Sequence, residues 1–273
     1  MIAVCLKWTP SRLDGGPLGP DPGDDRFADV SPADRAALEV ALRLADSSGD
    51  TVTAIAAGPA GADRILRDAI AAGASRAIRL DMPTDSDSRD VAFELAQLLG
   101  DASVVLCGDY SLDRGSGSVP AFVAHHRRAA QALGLVSVDV AASGSASGRV
   151  HAVRRLDGGR REVLSVPMPC VLSVEGSVAV LRRAPLPRVL AARTATIEVV
   201  TAPPAHHKSS PAIVTPYRPR ARVMSPPHGS ALDRVRSLTD TGAASARGET
   251  VELPPREAAA RIVAALREWG HLG

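Results

Sequence analysis

Between residues 108 and 118 the chain reads GDYSLDRGSGS, a polar stretch dense in Gly, Ser and Asp. It follows a short apolar run, residues 103–107, of the kind a buried parallel strand provides. After it comes a helix-period segment with Val119, Phe122, Val123, Ala130 and Leu133 on roughly one face. Ser118 is placed to be the N-cap, and Pro120 falls in the first turn, where proline is tolerated. Strand, Gly-rich loop and helix start together suit a phosphate, because the first amides of a helix lack intrahelical partners and the macrodipole favours an anion there. Gly115 and Gly117 allow close backbone approach, and Ser116 and Ser118 offer hydroxyl donors. The stretch is neither GxGxxG nor a Walker A sequence. A solvated connection explains the same residues, so both readings stay open on local sequence alone.

Other chemistries find weaker support. Asp109 and Asp113 have the residue type of general bases, but solvated loop acids are commoner, and no nucleophile–base constellation accompanies them. Cys5, Cys107 and Cys170 each lie in an apolar run with no CxxC pair, which predicts buried free thiols. The pairs His125–His126 and His206–His207 would each need ligands from elsewhere, since adjacent helical side chains diverge by about 100°. No metal site is expected.

The elements that must position the loop follow from the pattern of apolar runs. Residues 2–8 (IAVCLKW) form the first strand, and 9–30, rich in Pro, Gly and Asp, a long loop. Ser31-Pro32-Ala33-Asp34 starts a helix whose apolar face carries Leu38, Ala41, Leu42 and Ala45. A second strand (51–57), a helix ending near Gly73, a third strand (75–80), a helix (90–99) and the strand 103–107 follow. This alternation predicts βαβ crossovers and a parallel sheet, with ligands beyond the carboxyl ends of the strands. Residues 136–142, 149–155 and 161–166 read as added strands, with Asp157-Gly158-Gly159 as a turn; 170–174 and 196–200 are further strands.

Composition bounds the rest. The 273 residues are 45% hydrophobic and 3% aromatic, so the core must be built from Ala, Val and Leu. A net charge of +2 gives no reason to expect nucleic acid or a membrane surface. Without an apolar run of membrane-spanning length or a signal peptide, a cytoplasmic location without membrane insertion is expected. Residues 201–227 are rich in Pro and basic side chains and 239–249 are small and polar, so neither is expected to fold by itself. The segment 255–269 (PREAAARIVAALREW) is an amphipathic helix with Ala258, Ile262, Ala265, Leu266 and Trp269 on one stripe. The expected organisation is a domain over 1–200, an extended arm over 201–254, and a helix over 255–273.

Four segments in order resemble the beta subunit of electron transfer flavoproteins. IAVCLK is similar to the family's opening strand, and SPADRAALEVALRL to its Asn-Pro-Phe-Asp/Glu helix start. GPAGADRILRDAIAAGASRAIRL is similar to its GPx5–6LRxALAMGADRAI stretch, and RRAPLPRVLAARTATIEVV to RYxxLPxIMKAKKKxIEV. The resemblance implies an α/β fold of adenine-nucleotide-binding type, with a parallel sheet carrying helices on both faces, a β-hairpin edge and an extended C-terminal arm ending in a helix. It implies an electron carrier rather than an enzyme, paired with an alpha-type subunit that holds FAD.

The same resemblance implies a buried AMP, with a second FAD in electron-bifurcating relatives. Carried over by position, the nucleotide would meet Asp113, Gly115, Ser116, Gly117, Ser118 and Val119, with Cys5, Ser31 and Ala57 on neighbouring strand ends. Ser116, Ser118 and Ser31 replace the family's usual Thr, Gln and Asn. Leu186, flanked by Pro185 and Pro187, would anchor an electron-donating dehydrogenase, with Arg182 and Arg183 steering it, and a quinone oxidoreductase or similar acceptor would lie downstream. The long Pro-rich tail resembles actinobacterial-type beta subunits linked to mycofactocin, a peptide-derived redox cofactor. An ATP-using nucleotide alpha hydrolase of the same broad fold is the alternative, but Trp8-Thr9-Pro10-Ser11 stands where that family carries its SGGxDS phosphate loop.

Overall fold

The first strand, β1 (Ile2–Lys7), alternates its side chains between two cores. Ile2, Val4 and Leu6 pack on one side of the sheet, and Ala3 and Cys5 on the other. The computed structural model describes residues 1–10, 28–144, 148–203, 229–239 and 251–272. Contacts divide the chain into two units, Met1–Ser210 and Pro211–Gly273.

In the first unit, α1 (Pro32–Ser48) is capped at its start by the Ser31 hydroxyl and at its end by Gly49 in the left-handed region. Ala33, Ala36, Ala37 and Ala41 are fully buried, letting this helix lie close to the sheet without aromatic filler. The chain continues through β4 (Val52–Ala57), α2 (Asp63–Ala72), β5 (Arg76–Asp81), α3 (Ser88–Leu98), β6 (Val104–Gly108) and α4 (Val119–Arg127). The short strands β2 (Thr9–Pro10) and β3 (Ala28–Asp29) pair by themselves. Then come β7 (Ala130–Gly144), β8 (Arg149–Arg155), β9 (Arg161–Pro167), β10 (Cys170–Val174), α5 (Leu186–Arg193) and β11 (Glu198–Thr201).

Nine of the described strands form one sheet in the order β11-β5-β4-β1-β6-β10-β7-β8-β9. Pairing is parallel from β11 to β7 and antiparallel from β7 through β9. Side chains of α1 and α2 fill one face, and those of α3 and α4 the other. This is the expected α/β architecture with helices on both faces and a hairpin edge.

Two local expectations are corrected. The helix starting at Val119 stops at Arg127 instead of reaching Leu133, because Arg128 adopts a left-handed conformation (φ 50°). Ala130 and Leu133 therefore belong to β7, which starts well before residue 136. Although Ala-Gln-Ala-Leu favours helix locally, these residues pair in parallel with β10, and neighbouring Leu135 is fully buried. The second unit contains a helix the sequence pattern did not reveal, α6 (Ala231–Thr239), and the expected terminal helix, α7 (Pro255–Glu268). On α7, Ile262 and the following Trp269 are 61% and 68% exposed. Most of the Pro-rich arm, and the pair His206–His207, lie outside the described residues.

Candidate functional site

From β1 the chain winds through β4 to β5 on one side, then returns to place β6 on the other. A crevice opens where the winding direction reverses, beyond the carboxyl ends of β1 and β6, as expected for open parallel sheets. It encloses about 1010 Å³ of free space, its open mouth included. Cys5 and Lys7 from β1, Ala57 from β4, and Cys107 and Gly108 from β6 line it. The loop after β6 adds Asp113, Ser116, Gly117, Ser118 and Val119, while Met82, Val91 and Leu95 supply an apolar wall.

Asp34, in the first turn of α1, ties the crevice floor together. Its carboxylate accepts the Lys7 amide at 3.2 Å and the Gly108 amide at 3.2 Å, and its own amide donates to the Ser31 hydroxyl at 2.9 Å. The ends of β1 and β6 are thus joined through one buried carboxyl. Gly108 is required, because a Cβ there would lie 2.6 Å from an Asp34 oxygen. Burial pushes the Asp34 carboxyl up to about 7, against the hydrogen bonds that pull it down. From sequence alone, Asp34 was only an acid at a helix start.

The loop is held by its own polar groups. Lys7 Nζ lies 2.7 Å from Asp113 Oδ1 and donates to Ser111 Oγ at 3.4 Å. Burial would raise the Asp113 carboxyl, but hydrogen bonds from Lys7 and Ser111 bring it down to about 2. Arg114 Nη1 donates to the Ser86 carbonyl at 3.0 Å, pinning the loop to the far wall. Gly117 has φ 58°, and a Cβ on it would sit 2.4 Å from the Asp109 carbonyl, so this position admits only glycine. Ser118 occupies the N-cap position of α4 but makes no side-chain cap; its hydroxyl lies 3.1 Å from that of Ser116.

Of the anticipated nucleotide residues, Cys5, Ala57, Asp113, Ser116, Gly117, Ser118 and Val119 come together around the crevice. Gly115 shapes the loop (φ 64°) and donates its amide to Ser111 Oγ, without lining the crevice. Ser31 is 1% exposed, its hydroxyl spent on capping α1. Lys7 and Trp8 are crevice residues that motif reasoning missed; a lysine closing a strand and a tryptophan opening a loop carry no signal until the topology is known. The Trp8 indole N–H is buried with no hydrogen-bond partner among the described residues.

All three cysteines are buried free thiols, as expected. Cys5 and Cys107 are in register on adjacent strands, and their mutual hydrogen bond, with burial, pushes the Cys107 thiol well up, so it stays protonated. His126 packs edge-on to Phe93, with ring centroids 5.3 Å apart. Among the described residues no group of three or more His, Cys, Asp or Glu side chains is arranged to hold a metal. Among the described residues, no helix is long and apolar enough to cross a membrane.

Away from the crevice, α5 begins with the anticipated docking residues. Pro185 is its N-cap, and Leu186 is 68% exposed, one turn before half-exposed Leu190. Arg183 is also exposed. Arg182, expected to steer a partner, is instead committed to Glu39 and Asp46 on α1.

An electron transfer flavoprotein domain model matches residues 24–205. The FixA protein of Rhizobium meliloti (strain 1021) is 31% identical over 185 residues, which are 62% of this chain and 60% of that protein. The acryloyl-CoA reductase electron transfer subunit gamma of Anaerotignum propionicum is 27% identical over 182 residues, 63% of this chain and 66% of that one. In both cases the chain spans less than two thirds of the relative's length. The electron transfer flavoprotein subunit beta of Mycobacterium bovis (strain ATCC BAA-935 / AF2122/97) is 28% identical over 215 residues, 73% of this chain and 78% of that one. With the order of motifs, the sheet topology and the matched domain in agreement, the chain belongs to the electron transfer flavoprotein family and is of its beta-subunit kind.

Proposed function

We propose that this chain is the beta-type subunit of a heterodimeric electron carrier and holds AMP in the crevice as a structural element. Electrons from a dehydrogenase pass through FAD on an alpha-type partner to an acceptor such as a quinone oxidoreductase. The FAD supplies the redox chemistry. This chain closes the flavin groove, positions the pair and presents Leu186 to the dehydrogenase. The observation that carries the nucleotide assignment is the crevice itself, which is lined by a cation, a helix start and apolar side chains.

The residues present fit AMP. The first amides of α4 and the hydroxyls of Ser116 and Ser118 suit a phosphate, and Met82, Val91 and Leu95 suit a purine. The unpartnered Trp8 indole supplies one further donor on the wall. Co-expression with an alpha-type partner tests the proposal through the visible spectrum and acid-released nucleotides of the purified pair. One FAD and one AMP per heterodimer is the expected result. Two FAD would make this a bifurcating-type subunit, and one FAD without AMP would remove the nucleotide. ATP turnover by the isolated chain would replace the carrier with an enzyme.

A further inference from the structure

Lys7 and Asp113 lie 106 positions apart in sequence, yet their side chains meet at 2.7 Å in the crevice. Both are about one third exposed, 39% and 31%, so the pair is reachable from solvent. Lys7 lines the same crevice as Ser116–Val119 and has a rigid origin: its backbone ends β1, and its amide is fixed by Asp34. Asp113 comes from a loop and not from a strand, and its contacts within that loop are with Ser111 and Arg114. A loop carboxylate therefore occupies Lys7 in the way a phosphate oxygen would. Arg114, the other cation on the crevice wall, is bonded to the Ser86 carbonyl.

We propose that Lys7 is the residue that selects a phosphorylated nucleotide over its nucleoside, and that Asp113 is an internal competitor which the phosphate displaces. This rests on the crevice binding a nucleotide. A phosphate dianion carries more charge than a carboxylate, and it simultaneously engages the α4 amides, which Asp113 does not. The exposed Lys7–Asp113 pair is weak enough to be exchanged, since solvent screens it. Displacement frees Asp113, so nucleotide occupancy and the position of the 109–118 loop are coupled.

Calorimetric titration of the full chain, stripped of bound nucleotide, with AMP and with adenosine tests the inference. The wild-type chain should prefer AMP over adenosine by roughly tenfold or more, and Lys7→Gln should bring the two to near parity. Asp113→Asn should strengthen AMP binding by about threefold while leaving adenosine unchanged. Melting curves for both variants confirm folding, and Lys7→Met serves if the glutamine variant does not fold. A Lys7 variant that keeps the wild-type AMP preference overturns the role of Lys7 while leaving the nucleotide site intact. Weaker AMP binding by Asp113→Asn would make Asp113 a ligand rather than a competitor. A wild-type chain that binds neither compound overturns the nucleotide site, and this inference with it.

Discussion

Arg182 donates both its backbone amide and its Nε to one oxygen of Glu39, each at 3.0 Å. Its Nη2 reaches the other Glu39 oxygen at 3.3 Å, and Arg43 holds that oxygen at 2.8 Å. Glu39 is 4% exposed on α1, so the strand-to-helix connection that carries Leu186 is anchored to the core by a nearly buried carboxylate. Burial raises the Glu39 carboxyl, but the Arg182 and Arg43 hydrogen bonds outweigh it and the net shift is downward.

Removing the Glu39 charge should therefore destabilise the fold. Glu39→Gln leaves the Arg182 guanidinium without its main partner and should cost about 2 kcal/mol, measured by urea unfolding at neutral pH. Because the folded carboxyl titrates below its ordinary 4.5, its contribution is present above that pH and is lost as pH falls through the folded value. The variant and wild type should accordingly converge in strong acid. A constant difference across the acid range would show that packing, not charge, is responsible.

Asp34 has the opposite sign. Its folded carboxyl is raised from 3.8 to about 7, so the associated stabilisation is complete below about 4 and is lost as pH rises toward 7. Carboxyl-carbon NMR should find one aspartate titrating near neutrality, absent from Asp34→Asn. That variant turns an N–H toward one of the two amides Asp34 accepts, and should lose about 1–3 kcal/mol at pH 5. If every aspartate titrates below pH 5, the crevice floor is wetter than the buried geometry requires.

Leu186 makes the cleanest docking test because it is 68% exposed. Leu186→Ala should change unfolding free energy by no more than about 0.5 kcal/mol, since surface truncations rarely do more. Electron transfer from the cognate dehydrogenase should slow about tenfold or more, with flavin content unchanged, if the leucine fills a dry pocket on the partner. Normal transfer by the variant removes the docking role.

The terminal helix offers an assembly test. Ile262 and Trp269 expose apolar surface, and burying both against an alpha-type partner would contribute several kcal/mol, at about 25 cal/mol per Å². A chain ending before Glu252 should keep the cooperative melting of the Met1–Ser210 unit but lose partner affinity by at least about tenfold. Unchanged co-purification would assign the helix another role.

The alternation of apolar runs and helix starts was enough to determine the parallel sheet, both helical layers and the β8–β9 hairpin. These features depend on periodicity, caps and turns within a few residues of one another. Ser31, Gly49 and Gly158 each act through neighbours in sequence. The start of β7 was not legible: Ala130 to Leu133 favours helix on its own and becomes strand only because β10, some forty residues later, supplies its hydrogen bonds. The loop at 108–118 could be recognised as a candidate phosphate cradle, and Gly115 and Gly117 do adopt left-handed conformations. What it faces was decided by topology. Strand order puts β1 beside β6, which brings Lys7 to Asp113 and sets Asp34 between two strand ends. Long-range charge pairs of this kind leave no trace in local pattern, because their energy depends on distance in space and not along the chain.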